Sequence, residues 1–209
     1  MKTSGLEFMT HATLLIVEDD EDICSHLSRV MTSEGYRVHT AHNRIEALAF
    51  DHQPMIVLLD MGLPPASHGI SEGLILLDAL LAGSPGSKII AITGHEDAAF
   101  EAVRRGAFDF LTKPSEISDI KSAIRRASLF LHHERLLSES GEARLHVTIK
   151  ISDGPRECAE AIEEQIIRHT LSDTNGNVSE TARRLGLVRE NLYYYLKKYG
   201  IRPSRPQSV

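Results

Sequence analysis

The chain has 209 residues, 42% of them hydrophobic, with no Trp and a formal net charge of −6. That length suits one medium domain and one small one. No apolar run approaches the roughly 20 residues that cross a bilayer, so no membrane-spanning helix and no membrane partner is expected.

The first dozen residues lack an apolar run, which argues against a signal peptide. Cys24 and Cys158 lie far apart without metal-ligand spacing, so free thiols in a reducing cytoplasm are expected. The charge is unevenly spread. Residues 1–142 carry 12 Lys/Arg against 21 Asp/Glu, whereas residues 177–209 carry 7 against 2. An acidic body with a basic tail points to a polyanionic partner for the tail.

Strand-length apolar runs recur at 13–17, 36–40, 55–59, 88–92 and 107–111. Helix-length patterns lie between them, near 20–33, 43–51, 72–81, 97–105 and 115–137. Strands alternating with helices predict a five-stranded parallel, doubly wound α/β sheet covered on both faces. The run 36–40 alternates apolar and polar residues and reads as an edge strand. The last helix of this unit has Ile117, Ile120, Ile124, Ala127 and Leu131 in register and continues to Leu136 and Leu137. That is longer than one sheet needs, and the excess suits a short helical pairing seam.

Residues 138–142 read as a linker. Leu145–Ile151 alternates without a break and predicts a strand. Its partner is a symmetry mate, the first domain or a local hairpin. Three helices follow, from Pro155 to about Leu171, from Asn177 to Leu185, and from Arg189 to Tyr199. Pro155 suits a helix start, Asn177 with Glu180 forms an N-x-x-E cap, and Gly186 and Gly200 act as turn and stop. The expected domains are therefore an α/β domain over 12–137, a linker with a short strand over 138–154, and a small all-α domain over 155–203.

The chemistry sits at the carboxyl ends of the predicted strands, where doubly wound sheets bind ligands. Glu18 and Asp19 follow the first, Asp60 ends the third, Thr93 the fourth and Lys113 the fifth. Asp60 is the candidate nucleophile or metal ligand. With Glu18 and Asp19 it forms a carboxylate set that suits a hard cation such as Mg²⁺. Asp20, Glu21 and Asp22 also offer carboxylates, but Glu18 and Asp19 lie nearest the strand end. A carboxylate attacks a phosphorylated donor only if the transferred charge is neutralised. Lys113 and the metal would supply positive charge, and the Thr93 hydroxyl would bond a phosphoryl oxygen. Lys113–Pro114 directly follows its strand, a setting that suits a cis peptide.

These residues carry a resemblance. Leu15-Ile-Val-Glu-Asp-Asp20, Leu59-Asp60, Ile92-Thr-Gly94 and Gly106-Ala-Phe-Asp-Phe-Leu-Thr-Lys-Pro114 make residues 13–137 similar to the receiver domain of two-component response regulators. The resemblance implies a flavodoxin-like fold, Asp60 as phospho-acceptor, and a sensor histidine kinase as partner. It also implies Mg²⁺ held by Glu18, Asp19, Asp60 and the carbonyl of Gly62. Thr93 and Lys113 then sense the phosphoryl group, and Phe110 corresponds to an aromatic switch residue. The loop 61–72 is longer than receivers usually have. His95, two residues after Thr93, is expected to set the lifetime of the phosphoryl group.

The last two helices, separated by Gly186, fit a helix-turn-helix. Arg189 and Asn191 near the start of the final helix are placed to reach base edges. Lys197, Lys198 and the hydroxyls of Tyr193 and Tyr194 suit phosphates, while Tyr195 reads as core. Gly176-Asn-Val-Ser-Glu-Thr-Ala-Arg-Arg-Leu-Gly186 and Leu192-Tyr with Leu196-Lys-Lys-Tyr-Gly-Ile201 make residues 156–201 resemble the Fis-type helix-turn-helix. Val188 stands at a cap position where Ser or Asn is usual.

In this family a sigma-54-dependent ATPase commonly lies between the two modules. Here no G-x-x-x-x-G-K-[ST] phosphate loop appears. The reading is a phosphorylation-controlled, DNA-binding response regulator acting as a homodimer on double-stranded DNA, with RNA polymerase a further partner. The alternative is an architectural DNA-binding protein or phosphate sink that works through protein contacts. A haloacid-dehalogenase-type phosphatase would need a second Asp two residues after Asp60, and that position is Gly62. The chain is therefore expected not to be an enzyme.

Overall fold

A computed structural model describes residues 12–50, 56–65, 69–84, 86–94, 96–142, 152 and 154–202. The chain forms two compact units that divide between Glu142 and Ala143. In the first, β1 (Thr13–Val17), β2 (Arg37–Ala41), β3 (Ile56–Asp60), β4 (Lys88–Thr93) and β5 (Asp109–Thr112) make one sheet in the order β2-β1-β3-β4-β5. All four pairings are parallel. The expected α/β class holds, and the alternating strand β2 lies at an edge. The strand order reverses between β1 and β3, which opens the crevice where such sheets bind ligands.

Alternation along the central strands sorts their side chains into two cores. Leu15, Val17, Val57, Leu59, Ile89 and Ala91 face one side, under α2 (Arg44–Ala49), α3 (Ser71–Gly83) and α4 (Glu96–Arg104). Leu14, Ile16, Ile56, Leu58, Ile90 and Ile92 face the other, under α1 (Glu21–Ser33) and α5 (Ile117–Glu139). Burial on both faces is why β1, β3 and β4 read as continuous apolar runs.

Element boundaries moved where capping decides them. The expected strand from Ala107 begins instead at Asp109. Gly106 adopts φ 107°, and the Ala107 N–H donates to the Ala102 carbonyl at 2.9 Å. Ala107 thus closes α4 in the manner of a glycine-terminated helix and does not open the strand. Asp20 caps α1, its side chain accepting from Asp22 and Ile23 at 3.0 Å each.

The long helix α5 is pinned at its distal half. Lys88, at the amino end of β4, pairs with Glu134 at 2.8 Å, with side chains only 10% and 16% exposed. The Lys88 ammonium also lies 5.0 Å from the Phe130 ring, which meets Phe108 edge-on at 5.4 Å. No helix of the described residues is long and apolar enough to cross a membrane.

The second unit holds α6 (Pro155–Asp173), α7 (Val178–Arg184) and α8 (Arg189–Lys198). Its core is Ile167, Leu171, Ala182, Leu192, Leu196 and Ile201, with Val178, Leu185, Tyr195 and Tyr199 packed against it. Asn177 caps α7 by accepting from the Glu180 N–H at 3.1 Å. The Glu180 carboxylate turns to Arg183 and Arg184, so only half of the expected reciprocal cap forms. The segment Leu145–Ile151 lies outside the described residues.

Removing one partner of a buried pair leaves the other charge uncompensated. Glu134→Ala should therefore lower the urea stability of the α/β unit by about 2–3 kcal/mol, and adding Lys88→Met should recover most of that loss. A neutral Glu134→Ala would show that the pair does not pin α5.

Candidate functional site

The strand ends of β1, β3, β4 and β5 converge on one pocket. The Asp60 carboxylate is buried at 5% exposure, and the Glu18 side chain, one residue past β1, at 4%. Glu18, Asp19 and Asp60 each offer an oxygen, and these atoms all lie within 4.8 Å of one another. Lys113 reaches in from the end of β5. Its ammonium donates to Asp60 Oδ2 at 2.7 Å and to Glu18 Oε2 at 3.4 Å. The Lys113–Pro114 peptide is cis, as expected, and so is Pro64–Pro65. Thr93, also buried, ends β4 beside them.

Backbone geometry holds this arrangement. The Gly62 N–H donates to Asp60 Oδ1 at 3.0 Å, so Gly62 touches the acid through its amide. The Met61 N–H donates to the Ile92 carbonyl at 2.9 Å, and the Lys113 N–H to the Thr93 carbonyl at 2.7 Å. Gly73, in the first turn of α3, lies so close to Met61 that an added Cβ would sit 2.6 Å from the Met61 Cα. Only glycine lets α3 approach the chain leaving Asp60 this closely.

Charge is the dominant feature. Burial first, and the neighbouring Asp60 second, push the Glu18 carboxyl up to about 7. Burial pulls the Lys113 ammonium down, but its hydrogen bond to Asp60 and the charges of Asp60 and Glu18 outweigh that, and its pKa rises. Three carboxylates face one ammonium, an oxygen donor set with excess negative charge. That chemistry fits a hard divalent cation.

Two contributions were not read from the sequence. The His42 ring Nδ1 lies 3.0 Å from the Glu18 carbonyl, and Arg44 pairs with Glu72 at 2.7 Å, tying α2 to α3. Both join residues that become neighbours only once the sheet has formed. Asp20 could have been removed from the ligand candidates in advance, because an Asp directly before an apolar-periodic helix is a strong cap signal. Phe110 is 43% exposed on β5. Residues 66–68 of the long loop and His95 lie outside the described residues.

On the second unit, α8 presents Arg189, Asn191, Tyr193, Tyr194 and Lys197 to solvent. Arg189 Nη2 donates to the Tyr193 hydroxyl at 3.1 Å. Tyr194 stacks edge-on with Tyr195 at 5.4 Å. Lys198 is exposed as well, and its ammonium has partners on α6. It pairs with Glu163 at 3.0 Å and Glu160 at 3.7 Å on α6, and Glu163 also accepts from the Tyr199 hydroxyl.

A doubly wound domain with an acid pocket at its strand ends, joined to a helix-turn-helix unit, defines a class of regulators. Residues 14–125 match the response regulator receiver domain, and residues 159–199 match the Fis family of bacterial regulatory proteins. The chain belongs to the response regulator receiver family and carries a Fis-type helix-turn-helix. It is 29% identical over 192 residues to the photosynthetic apparatus regulatory protein RegA of Rhodovulum sulfidophilum, covering 89% of this chain and 91% of the relative. It is also 29% identical to the acid tolerance regulatory protein ActR of Sinorhizobium medicae, covering 89% and 86%.

Among solved structures, NtrX from Brucella abortus aligns with a TM-score of 0.56 and 28% identity, over 75% of this chain and 36% of that longer one. A CheY-like receiver domain protein from Methanospirillum hungatei aligns with a TM-score of 0.54 and 28% identity, over 59% of this chain and 98% of that one. Between the two matched spans, residues 126–158 include the second half of α5 and the first turn of α6. No sigma-54-type ATPase separates the modules.

Val188 at the start of α8 has no side-chain acceptor for the first-turn N–H groups. Val188→Ser should stabilise the helical unit by about 1 kcal/mol. Tyrosine fluorescence reads this unit selectively, because four of the five tyrosines lie in it. An unchanged unfolding midpoint would contradict the prediction.

Proposed function

We propose that this regulator is switched by phosphorylation of Asp60 and that the switch controls its occupancy of DNA. The observation that carries the reading is the Lys113 ammonium 2.7 Å from Asp60 Oδ2, with Glu18 and Asp19 within ligand range of the same carboxylate. In the proposed step an Asp60 oxygen attacks the phosphorus of a phosphohistidine on a sensor kinase. The phosphorus–nitrogen bond breaks, the histidine nitrogen keeps the electron pair, and an acyl phosphate forms on Asp60. Lys113 turns from the free carboxylate to the incoming phosphoryl oxygens, and the Thr93 hydroxyl donates to one of them. Glu18, Asp19, Asp60 and the Gly62 carbonyl would hold Mg²⁺, which when bound supplies further positive charge to the transferred group.

The readout follows from the family's two modules. Phe110, exposed on β5 three residues before Lys113, is the proposed switch side chain. Rearrangement of the sheet's far face, with the extended α5, would form or reorganise a homodimer. Two copies of α8 would then meet successive major grooves of a pseudo-palindromic site. A single module of this size has a small interface, which is why a dimer is proposed. Arg189 and Asn191 would face base edges; Tyr193, Tyr194, Lys197 and Lys198 would face the backbone. The proposed working units are residues 12–137 and 155–203, joined by 138–154. We place the protein in the cytoplasm, with RNA polymerase a further partner and DNA occupancy, not catalytic turnover, as its output.

Incubation of the full chain with acetyl phosphate and Mg²⁺, followed by peptide mass spectrometry, tests the acceptor. Label should appear on Asp60 alone and be lost in Asp60→Asn. Lys113→Ala should slow labelling roughly tenfold or more, and chelation of the metal should abolish it. Label retained in Asp60→Asn would overturn the assignment.

A further inference from the structure

Helix α8 begins with side chains that packing does not require. Arg189, Glu190 and Tyr193 are all exposed, Tyr193 at 46%. Positions four apart share a helix face, and here the two residues are joined twice. Arg189 Nη2 donates to the Tyr193 hydroxyl at 3.1 Å, and the guanidinium carbon lies 5.5 Å from the centre of the Tyr193 ring. One contact holds an edge of the guanidinium, and the other keeps the group beside the ring. Of the five N–H donors of the fork, one goes to the hydroxyl, which leaves a parallel pair for a ligand.

Four other cations of this unit are engaged within it. Arg183 and Arg184 pair with Glu180, Arg168 with Glu164 and the Tyr199 carbonyl, and Lys198 with Glu163. Arg189 differs from them in being held by a neutral side chain, so its charge is oriented without being neutralised.

We propose that Arg189 and Tyr193 form one reading unit, in which Arg189 contacts O6 and N7 of a guanine in the major groove and Tyr193 is its positioning residue. The proposal rests on the DNA-binding reading of α8 given above, and it gives Tyr193 a different task from backbone contact. A guanidinium already held by the Tyr193 hydroxyl loses less freedom on binding, so more of its bidentate contact appears as base discrimination. A neutral tyrosine releases no counterion, so removing it leaves the salt dependence of binding unchanged.

The test measures affinity of the full-length protein for a library of randomised duplexes at two or more salt concentrations. Wild type should prefer guanine at one position of each half-site by about 5- to 150-fold. Arg189→Ala should abolish that preference. Tyr193→Leu should reduce it several-fold at the same position, leaving other positions and the salt slope as they were. Tyr193→Phe, which keeps the ring and loses the hydroxyl, should fall between. Circular dichroism of each variant verifies that α8 is intact. Uniform weakening across all sequences, or no change in Tyr193→Leu, would overturn the proposal while leaving DNA binding in place. A wild-type chain that binds no duplex would remove the DNA-binding reading and this inference together.

Discussion

Two buried carboxylates facing one another set the terms for the whole α/β unit. Glu18 and Asp60 sit at the ends of neighbouring strands, each almost fully removed from water. Burial and mutual repulsion together drive the Glu18 carboxyl up to about 7. Such a pair persists only if something brings positive charge, and Lys113 does so from a strand two places away, with β4 between. The pocket is therefore poised around its charge balance. A divalent cation fits the donor set, and a phosphoryl group on Asp60 would change which oxygens Lys113 answers. That sensitivity makes the pocket suited to a switch, and it depends on all four strand ends keeping their register.

The parts that hold the register are modest. Gly73 lets α3 sit against the Met61 backbone, the Gly62 amide anchors Asp60, and backbone hydrogen bonds tie β3 to β4 and β4 to β5. On the opposite end of β4, the Lys88–Glu134 pair holds α5 beyond the length needed to cover the sheet. Strand β4 thus carries Thr93 at one end and the anchor of α5 at the other. A path from pocket to helix through a single strand is the physical basis for the proposed readout.

Much of this was legible in the sequence, for identifiable reasons. The strands of a parallel sheet buried on both faces are continuous apolar runs, so Leu14–Val17 and Ile89–Ile92 announce themselves, and the residues that follow them mark the ligand end. The helix-turn-helix was equally plain from Asn177, Gly186 and Gly200. What remained hidden is pairing between residues distant in sequence. Nothing local indicates that Lys198 meets Glu163, that His42 lies against the Glu18 carbonyl, or that Gly73 is demanded by Met61. Lys198 reads as a phosphate contact from its place on the helix, and its ion pairs to Glu160 and Glu163 on α6 could not be read from that place. The start of β5 was misread because the termination of α4 takes Ala107 first.

In the proposed switch, the charge state of the pocket controls the basic helix. Quantitative footprinting of the full-length protein on genomic DNA, with and without acetyl phosphate, addresses it most directly, using wild type beside Asp60→Ala. Phosphodonor should tighten wild-type binding at discrete sites and leave Asp60→Ala unmoved. Binding of equal strength in all four conditions would contradict it, and would favour a DNA-binding protein whose receiver works through protein contacts alone.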